Sequence, residues 1–312
     1  MKISEAQIQQ IGRILGKPPL VEFPLKNLTS YRVGGPADLV AFPEDTGSLI
    51  GLLCFVKEQN IRYFILGSGT NVLFSDEGFR GLIISPLKMK SFEIKTNSFG
   101  NTRIVAQSGT PLPRVVYHAC RFGLTGMEPL WGIPGSVGGS IACNAGAGSV
   151  SVLDLVADID LVTWNGERTL LKKASFSYGY RSCNLPLHSV ILQAAFELDN
   201  ANLDDVQKKL ADFKSLRQST QPHGFPNAGC VFKNPSANMP AGALIEKLGF
   251  KSMKCGGAEV SSVHANFIVN TGKALAQDIL KLIDDIIEAS QKRAGINLEL
   301  EIRIVKPSEN YV

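Results

Sequence analysis

The chain has 312 residues, 44% of them hydrophobic and 19% charged, a balance that suits two or three folded domains and excludes a disordered chain. The net charge is only +4 and scattered, so a nucleic-acid or membrane-surface partner finds no support, while a small anionic substrate is compatible with it. Met1-Lys2-Ile3-Ser4-Glu5 opens no signal-peptide core, no run approaches the roughly 18 apolar residues of a membrane helix, and Cys54, Cys120, Cys143, Cys183, Cys230 and Cys255 are spread without a C-x-x-C pair. The expectation is a cytoplasmic protein with reduced thiols and no membrane insertion.

Ser4 to Gly16 predicts a short helix, with Ser4 and Gln7 at capping-box spacing and Ile8, Ile11 and Leu15 on one face. Residues 38–42 predict a strand, Thr46 the cap of a helix reaching about Gln59, and Ile61–Leu66 and Gly81–Ser85 two further strands. This rhythm marks a small α/β unit in the first 90 residues. Arg103–Gln107 and Val190–Leu198 read as strands and Pro111–Phe122 as a helix with proline in its first turn. A long glycine-rich connector runs from Gly132 to Gly148. A boundary falls at 200–205, followed by a helix to about Arg217, a Pro/Gly/Asn-rich loop over 221–240, and a helix over Ala274–Arg293. Leu298–Val305 reads as a closing strand with one apolar and one charged face.

Five segments carry chemistry. Gly67, Ser68, Gly69, Thr70 and Asn71 follow a predicted strand, so their backbone N–H groups can approach phosphate oxygens; the segment is neither a P-loop nor a dinucleotide fingerprint, and taken alone an ordinary tight turn is the better reading. Ile133, Pro134, Gly135, Val137, Gly138 and Gly139 can press backbone and apolar side chains on a flat ring system, or form a buried connector. Tyr180-Arg181 suits a carboxylate or phosphate, or a surface arginine lying on a tyrosine. Cys230, in Gly229-Cys230-Val231-Phe232-Lys233-Asn234-Pro235, is a reactive thiol or a packed one. Glu301 lies on the charged face of the last strand, where a solvated glutamate is the usual outcome. The four histidines are dispersed, and no metal site is predicted.

Taken in order, R-V-G-G-P-A-D at 32–38, G-S-G-T-N at 67–71, G-x-x-G-x-E-P-L-x-G-I-P-G-S-V-G-G at 123–139, Y-R-S at 180–182, G-C-V-F-K-N-P at 229–235, H-A-N-F-I-V-N at 264–270 and L-E-x-E-I-R at 298–303 resemble the MurB family, the UDP-N-acetylenolpyruvoylglucosamine reductases of peptidoglycan synthesis. The resemblance covers about residues 20–305 and is closest to the shorter form of that family. It implies an α+β protein with a two-part FAD-binding region (1–90 and 91–204) similar to that of vanillyl-alcohol-oxidase-type flavoenzymes. An α+β substrate-binding domain would follow (205–312). It implies noncovalent FAD, NADPH as reductant and a nucleotide-sugar substrate. Gly67–Asn71 match the pyrophosphate loop and Ile133–Gly139 the wall of the flavin site. Arg181, Cys230 and Glu301 match the catalytic positions, Cys230 as proton donor. Arg217 matches a diphosphate contact, with Tyr180, Asn234 and His264 near the substrate.

The chain departs from the family pattern at four places. It has Cys230 where serine is usual, G-S-G-T-N where G-G-G-S-N is usual, Val263 where lysine is common, and no glycine after Ile304. An unperturbed thiol has a pKa of about 8.5; Arg181 nearby would lower it and a bound anion would raise it. Two other readings compete: a different oxidoreductase on the same flavin scaffold, and a non-catalytic protein that retains the fold.

Overall fold

In the computed structural model, which describes residues 3–96, 102–236 and 238–307, the first helix runs over Glu5–Leu15. Its capping box forms at Ser4 and Gln7, and Gly16 closes it at φ 69°. The second helix, Thr46–Glu58, is capped by Asp45 rather than Thr46: the Asp45 carboxylate accepts from Ser48 N at 2.8 Å, and Thr46 is already helical. Both helices cover one face of a four-stranded sheet ordered Leu20–Pro24, Pro36–Ala41, Phe79–Ile84, Tyr63–Ile65. Leu39, Ala41, Leu82 and Ile84 face the helices, while Ala37, Val40, Phe79 and Ile83 pack on the other face with Phe64, Phe74 and Val305. That is the period of two expected of strands, reset by a bulge between Ala37 and Leu39. Leu20–Pro24 was not predicted; it is a largely exposed edge strand and carries no alternation to read.

The middle of the chain forms an antiparallel sheet ordered Arg168–Lys172, Val156–Thr163, Ser189–Asn200, Thr102–Gln107, Phe92–Thr96, with Leu124–Thr125 pairing the end of Ser189–Asn200. The helix Leu112–Arg121 packs on it with Val115, Val116 and Ala119 fully buried. Val162, Val190 and Leu192 reach into the core beside the first two helices, so the two regions share packing. The glycine-rich connector is not all loop: Ser136 caps a short helix, Val137–Ala142. The predicted boundary shrinks to two residues, because the strand runs on to Asn200 and Asn202 caps the next helix, Leu203–Thr220.

The last third packs the helices Ala241–Lys247 and Ala276–Ala294 on a sheet of Lys254–Cys255, Ala258–Val260 and Ile268–Asn270. Tyr31, Val33 and Leu73 from the first region complete its core. Asp76 crosses the same boundary. Its carboxylate accepts from Ala276 N at 2.8 Å and Gln277 N at 3.0 Å, capping the long helix from outside its own region. The closing strand is shorter than predicted: only Arg303–Val305 forms a ladder, parallel to Val72–Phe74. Upstream, Glu301 N donates to Val231 O, whereas Arg303 N donates to Asn71 O. The segment therefore changes neighbours in mid-course, and its regular alternation spans two different partners.

Candidate active site

The two glycine segments are stitched together. A Cβ on Gly67 would lie 2.7 Å from Ser136 Oγ, and one on Gly69, which sits at φ 64°, would lie 2.0 Å from Leu28 O. At Gly69 only glycine tolerates this approach to the Leu28 backbone. Thr70 Oγ1 donates to Pro134 O at 3.1 Å. Between them opens a cavity of about 610 Å³, walled by Gly67–Asn71, Ile133–Gly135, Gly139, Arg181, Arg217, Cys230 and Glu301. It adjoins a cleft of about 300 Å³ that Gly138 and residues 185–191 line. Val137, by contrast, is fully buried in the core of the middle region.

Arg181 stands at the tip of the hairpin Ser177–Gly179/Ser182–Asn184, at φ 53°, in the left-handed region that costs a non-glycine residue energy. Its Nε donates to Glu301 Oε1 at 2.7 Å, Nη2 to Gly146 O at 2.8 Å and Nη1 to Asn144 O at 3.4 Å. Asn144, buried and also left-handed, donates to Gly179 O at 2.7 Å and accepts from Leu153 N at 3.2 Å. It ties the glycine-rich segment to the hairpin that presents Arg181, and no motif singled it out. Asn71 holds the other half of the pair by donating from Nδ2 to Glu301 O at 3.1 Å. Glu301 is thus a partly buried partner of Arg181 and not a solvated edge residue.

Burial raises the Glu301 carboxyl above the ordinary carboxylate range, with Arg181 pulling the other way. Cys230 lines the same cavity. Burial pushes its thiol up to about 12; Glu301 adds to the rise, while Arg181 and Arg217 oppose it. The expected lowering by Arg181 is therefore outweighed by burial. Arg217, in the last turn of Leu203–Thr220, reaches Trp131 O at 3.5 Å, and its own pKa is lowered by burial.

Tyr180, Asn234 and His264 lie outside the cavity wall. Tyr180 OH accepts from Asn234 N at 3.3 Å, and Asn234 Oδ1 accepts from Ala241 N at 2.9 Å at the start of a helix. His264 Nδ1 accepts from Asn266 N at 3.2 Å, its ring lies 5.0 Å from that of Phe267, and burial lowers its pKa. It is Phe267 that reaches the wall.

Residues 37–171 match the FAD binding domain model and residues 221–305 match the UDP-N-acetylenolpyruvoylglucosamine reductase C-terminal domain. The reductase of that name from Syntrophobacter fumaroxidans is 40% identical over 98% of this chain and 90% of its own length. The one from Syntrophus aciditrophicus is 36% identical over 95% of each. The crystal structure of the Thermus caldophilus enzyme superposes with a TM-score of 0.75 at 29% identity, over 92% of this chain and 98% of that one. A vanillyl-alcohol-oxidase-type flavoprotein from Myceliophthora thermophila shares the fold, with a TM-score of 0.50 at 13% identity over 96% of this chain and 63% of its own. The residues present fit a flavin dinucleotide: Gly67–Asn71 and Ile133–Gly135 line a cavity whose volume suits an organic cofactor. With both halves matched and relatives aligned along nearly its full length, the chain belongs to the UDP-N-acetylenolpyruvoylglucosamine reductase family and carries that family's FAD-binding domain.

Proposed function

We propose that this chain reduces UDP-N-acetylglucosamine enolpyruvate to UDP-N-acetylmuramate with NADPH as reductant, and that Arg181, Glu301 and Cys230 surround the reacting enolpyruvyl group. One observation carries the reading: side chains from three distant motifs, two of them joined in a 2.7 Å ion pair, meet in the cavity that the glycine segments line. The hydride chemistry is supplied by FAD when bound in that cavity. Hydride addition to the terminal carbon of the double bond drives negative charge toward the substrate carboxylate, and Arg181 is the cation placed to stabilise it. Glu301 orients Arg181 through Nε and balances its charge. Cys230 delivers a proton to the carbon beside the carboxylate, and burial keeps the thiol protonated for that task. Arg217 binds the diphosphate, with Tyr180, Asn234 and His264 supporting the substrate side.

In this reading residues 1–90 and 91–204 hold FAD and 205–312 hold the nucleotide sugar. The cell compartment is the cytoplasm, where NADPH and nucleotide sugars are available. Among the described residues no helix is long and apolar enough to cross a membrane. Purified protein should be yellow, bleach with NADPH under anaerobic conditions, and regain colour when the enolpyruvyl nucleotide sugar is added, with the lactyl ether as product by mass spectrometry. A colourless protein, or a bleached one that ignores the nucleotide sugar, overturns the assignment.

A further inference from the structure

Arg181 is held at both ends, and Asn144 is the residue common to the two. Among the described residues the hairpin Ser177–Gly179/Ser182–Asn184 pairs with no other strand, and a lone pair of strands is marginal in water. Its tip places Arg181 at φ 53°, a region that few residues other than glycine and asparagine enter readily. A side chain stays there only where its surroundings over-determine it. The Asn144 carboxamide supplies part of that constraint. Its Nδ2 donates to Gly179 O at 2.7 Å, two residues before Arg181, and its Oδ1 accepts from N of the fully buried Leu153 at 3.2 Å. The hairpin tip is thereby tied to the core of the middle region. The far end of Arg181 meets the same residue. Asn144 O accepts from Nη1 at 3.4 Å, and Gly146 O, two positions on, accepts from Nη2 at 2.8 Å. A Cβ on Gly146 would lie 3.2 Å from Arg181 Nη1, so the guanidinium rests against bare backbone. Asn144 itself is 2% exposed and lies behind the cavity wall, which Cys143 and Ala145 on either side of it help to form.

We propose that Asn144 is the positioning residue of Arg181, a role that rests on Arg181 acting on the substrate carboxylate. A guanidinium carries five N–H groups in one plane. Glu301 and the carbonyls of residues 144 and 146 take three of them, and each terminal nitrogen keeps one. Those two form the fork that a carboxylate accepts from. Tied to Glu301 alone, the plane is free to swivel about Nε; the two carbonyls stop it. Asn144 anchors the turn that carries Arg181 and supplies one of the carbonyls that orient its tip, so the fork stands in place before substrate arrives. Such preorganisation leaves nothing to rearrange when charge develops. Set behind the wall, Asn144 acts through Arg181 and not on the ligand.

Asn144→Gly in the FAD-loaded enzyme keeps the left-handed backbone and the carbonyl on Nη1 while removing the carboxamide. Leu153 N loses its acceptor, so the unfolding midpoint should fall, which a purely structural role would also produce. The kinetics separate the two. Bleaching by NADPH should stay within about twofold, while reoxidation by the enolpyruvyl nucleotide sugar should slow roughly 10²-fold, the scale of a misplaced reacting group. In steady state kcat should fall by that factor and KM stay within about threefold, because the fork matters most as charge develops. Asn144→Asp keeps the size and the acceptor for Leu153 N but, once ionised, offers Gly179 O no donor; it should show the same split, and it decides the matter if the glycine variant does not fold. Normal reoxidation in a variant that holds FAD overturns the proposal, as does equal slowing of both half-reactions or a rise in KM that matches the fall in kcat. In an Arg181→Lys background, which is already slow, Asn144→Gly should cost little further. A second loss by the same factor removes Asn144 alone. Near-normal reoxidation in Arg181→Lys removes the role of Arg181 and the proposal with it.

Discussion

Arg181 donates from all three guanidinium nitrogens, one to Glu301 and two to backbone carbonyls of the glycine-rich segment. Lysine keeps the charge but not the planar fork. Arg181→Lys should therefore retain FAD and lose roughly 10²-fold in reoxidation by substrate, with bleaching by NADPH little changed; stopped-flow absorbance of the two half-reactions decides. The pH profile follows from the two titrating groups. In the proposed role Cys230 must be protonated to donate, and burial holds its thiol up to about 12, so it should stay protonated through neutral and mildly alkaline pH. Glu301 must be ionised to balance Arg181, and its raised pKa moves the point at which falling pH protonates it above the ordinary value of about 4.3. The profile of kcat/KM should thus show an acid limb displaced upward, which Glu301→Gln abolishes and Cys230→Ser leaves in place. An alkaline limb near pH 8.5 that vanishes in Cys230→Ser would mean that the thiol is not held up by burial.

Among the elements, the long C-terminal helix depends on a cap from another region. Asp76→Ala leaves Ala276 N and Gln277 N without their acceptor and should cost about 1 kcal/mol, a fall of about 2 °C in the unfolding midpoint by calorimetry. Flavin content should be unchanged. This cap was invisible in the sequence because donor and acceptor are 200 residues apart. What the sequence disclosed was local. The Ser4–Gln7 box, the short apolar runs read as strands at 38–42 and 81–85, and the glycines of 67–71 each declare themselves within a few residues. It misplaced Thr46, because Asp45 is an equally good cap one position earlier. It extended the final strand through Leu298, because the alternation continues while the partner changes. Cys230 and Glu301 were named only through motif order, since either could be a packed or solvated residue in isolation. Asn144 carries no signal of its own: a buried asparagine that bonds distant backbone looks in sequence like any other.

Across the whole molecule, the cavity draws on the first, middle and last thirds of the chain, so a ligand that fills it bridges all of them. FAD binds the folded state alone and should stabilise it by about 2.7 kcal/mol at a hundredfold excess over Kd. Flavin-stripped protein should melt lower and recover on adding FAD, and trichloroacetic acid should release all the colour into the supernatant; flavin left in the pellet would establish a covalent link. The pairing of Asn71 with Glu301 has a temporal side. The two residues are 230 positions apart, and Arg303–Val305 pair with the strand that directly follows Asn71. At roughly 5–20 residues per second, ribosomes complete the glycine turn at 67–71 about 10–50 s before Glu301 exists. Throughout that interval the nascent chain has the glycine turn but neither the strand that flanks it nor the carboxylate that aligns Arg181. The proposed site is therefore incomplete in a translating polypeptide until Arg303–Val305 arrive.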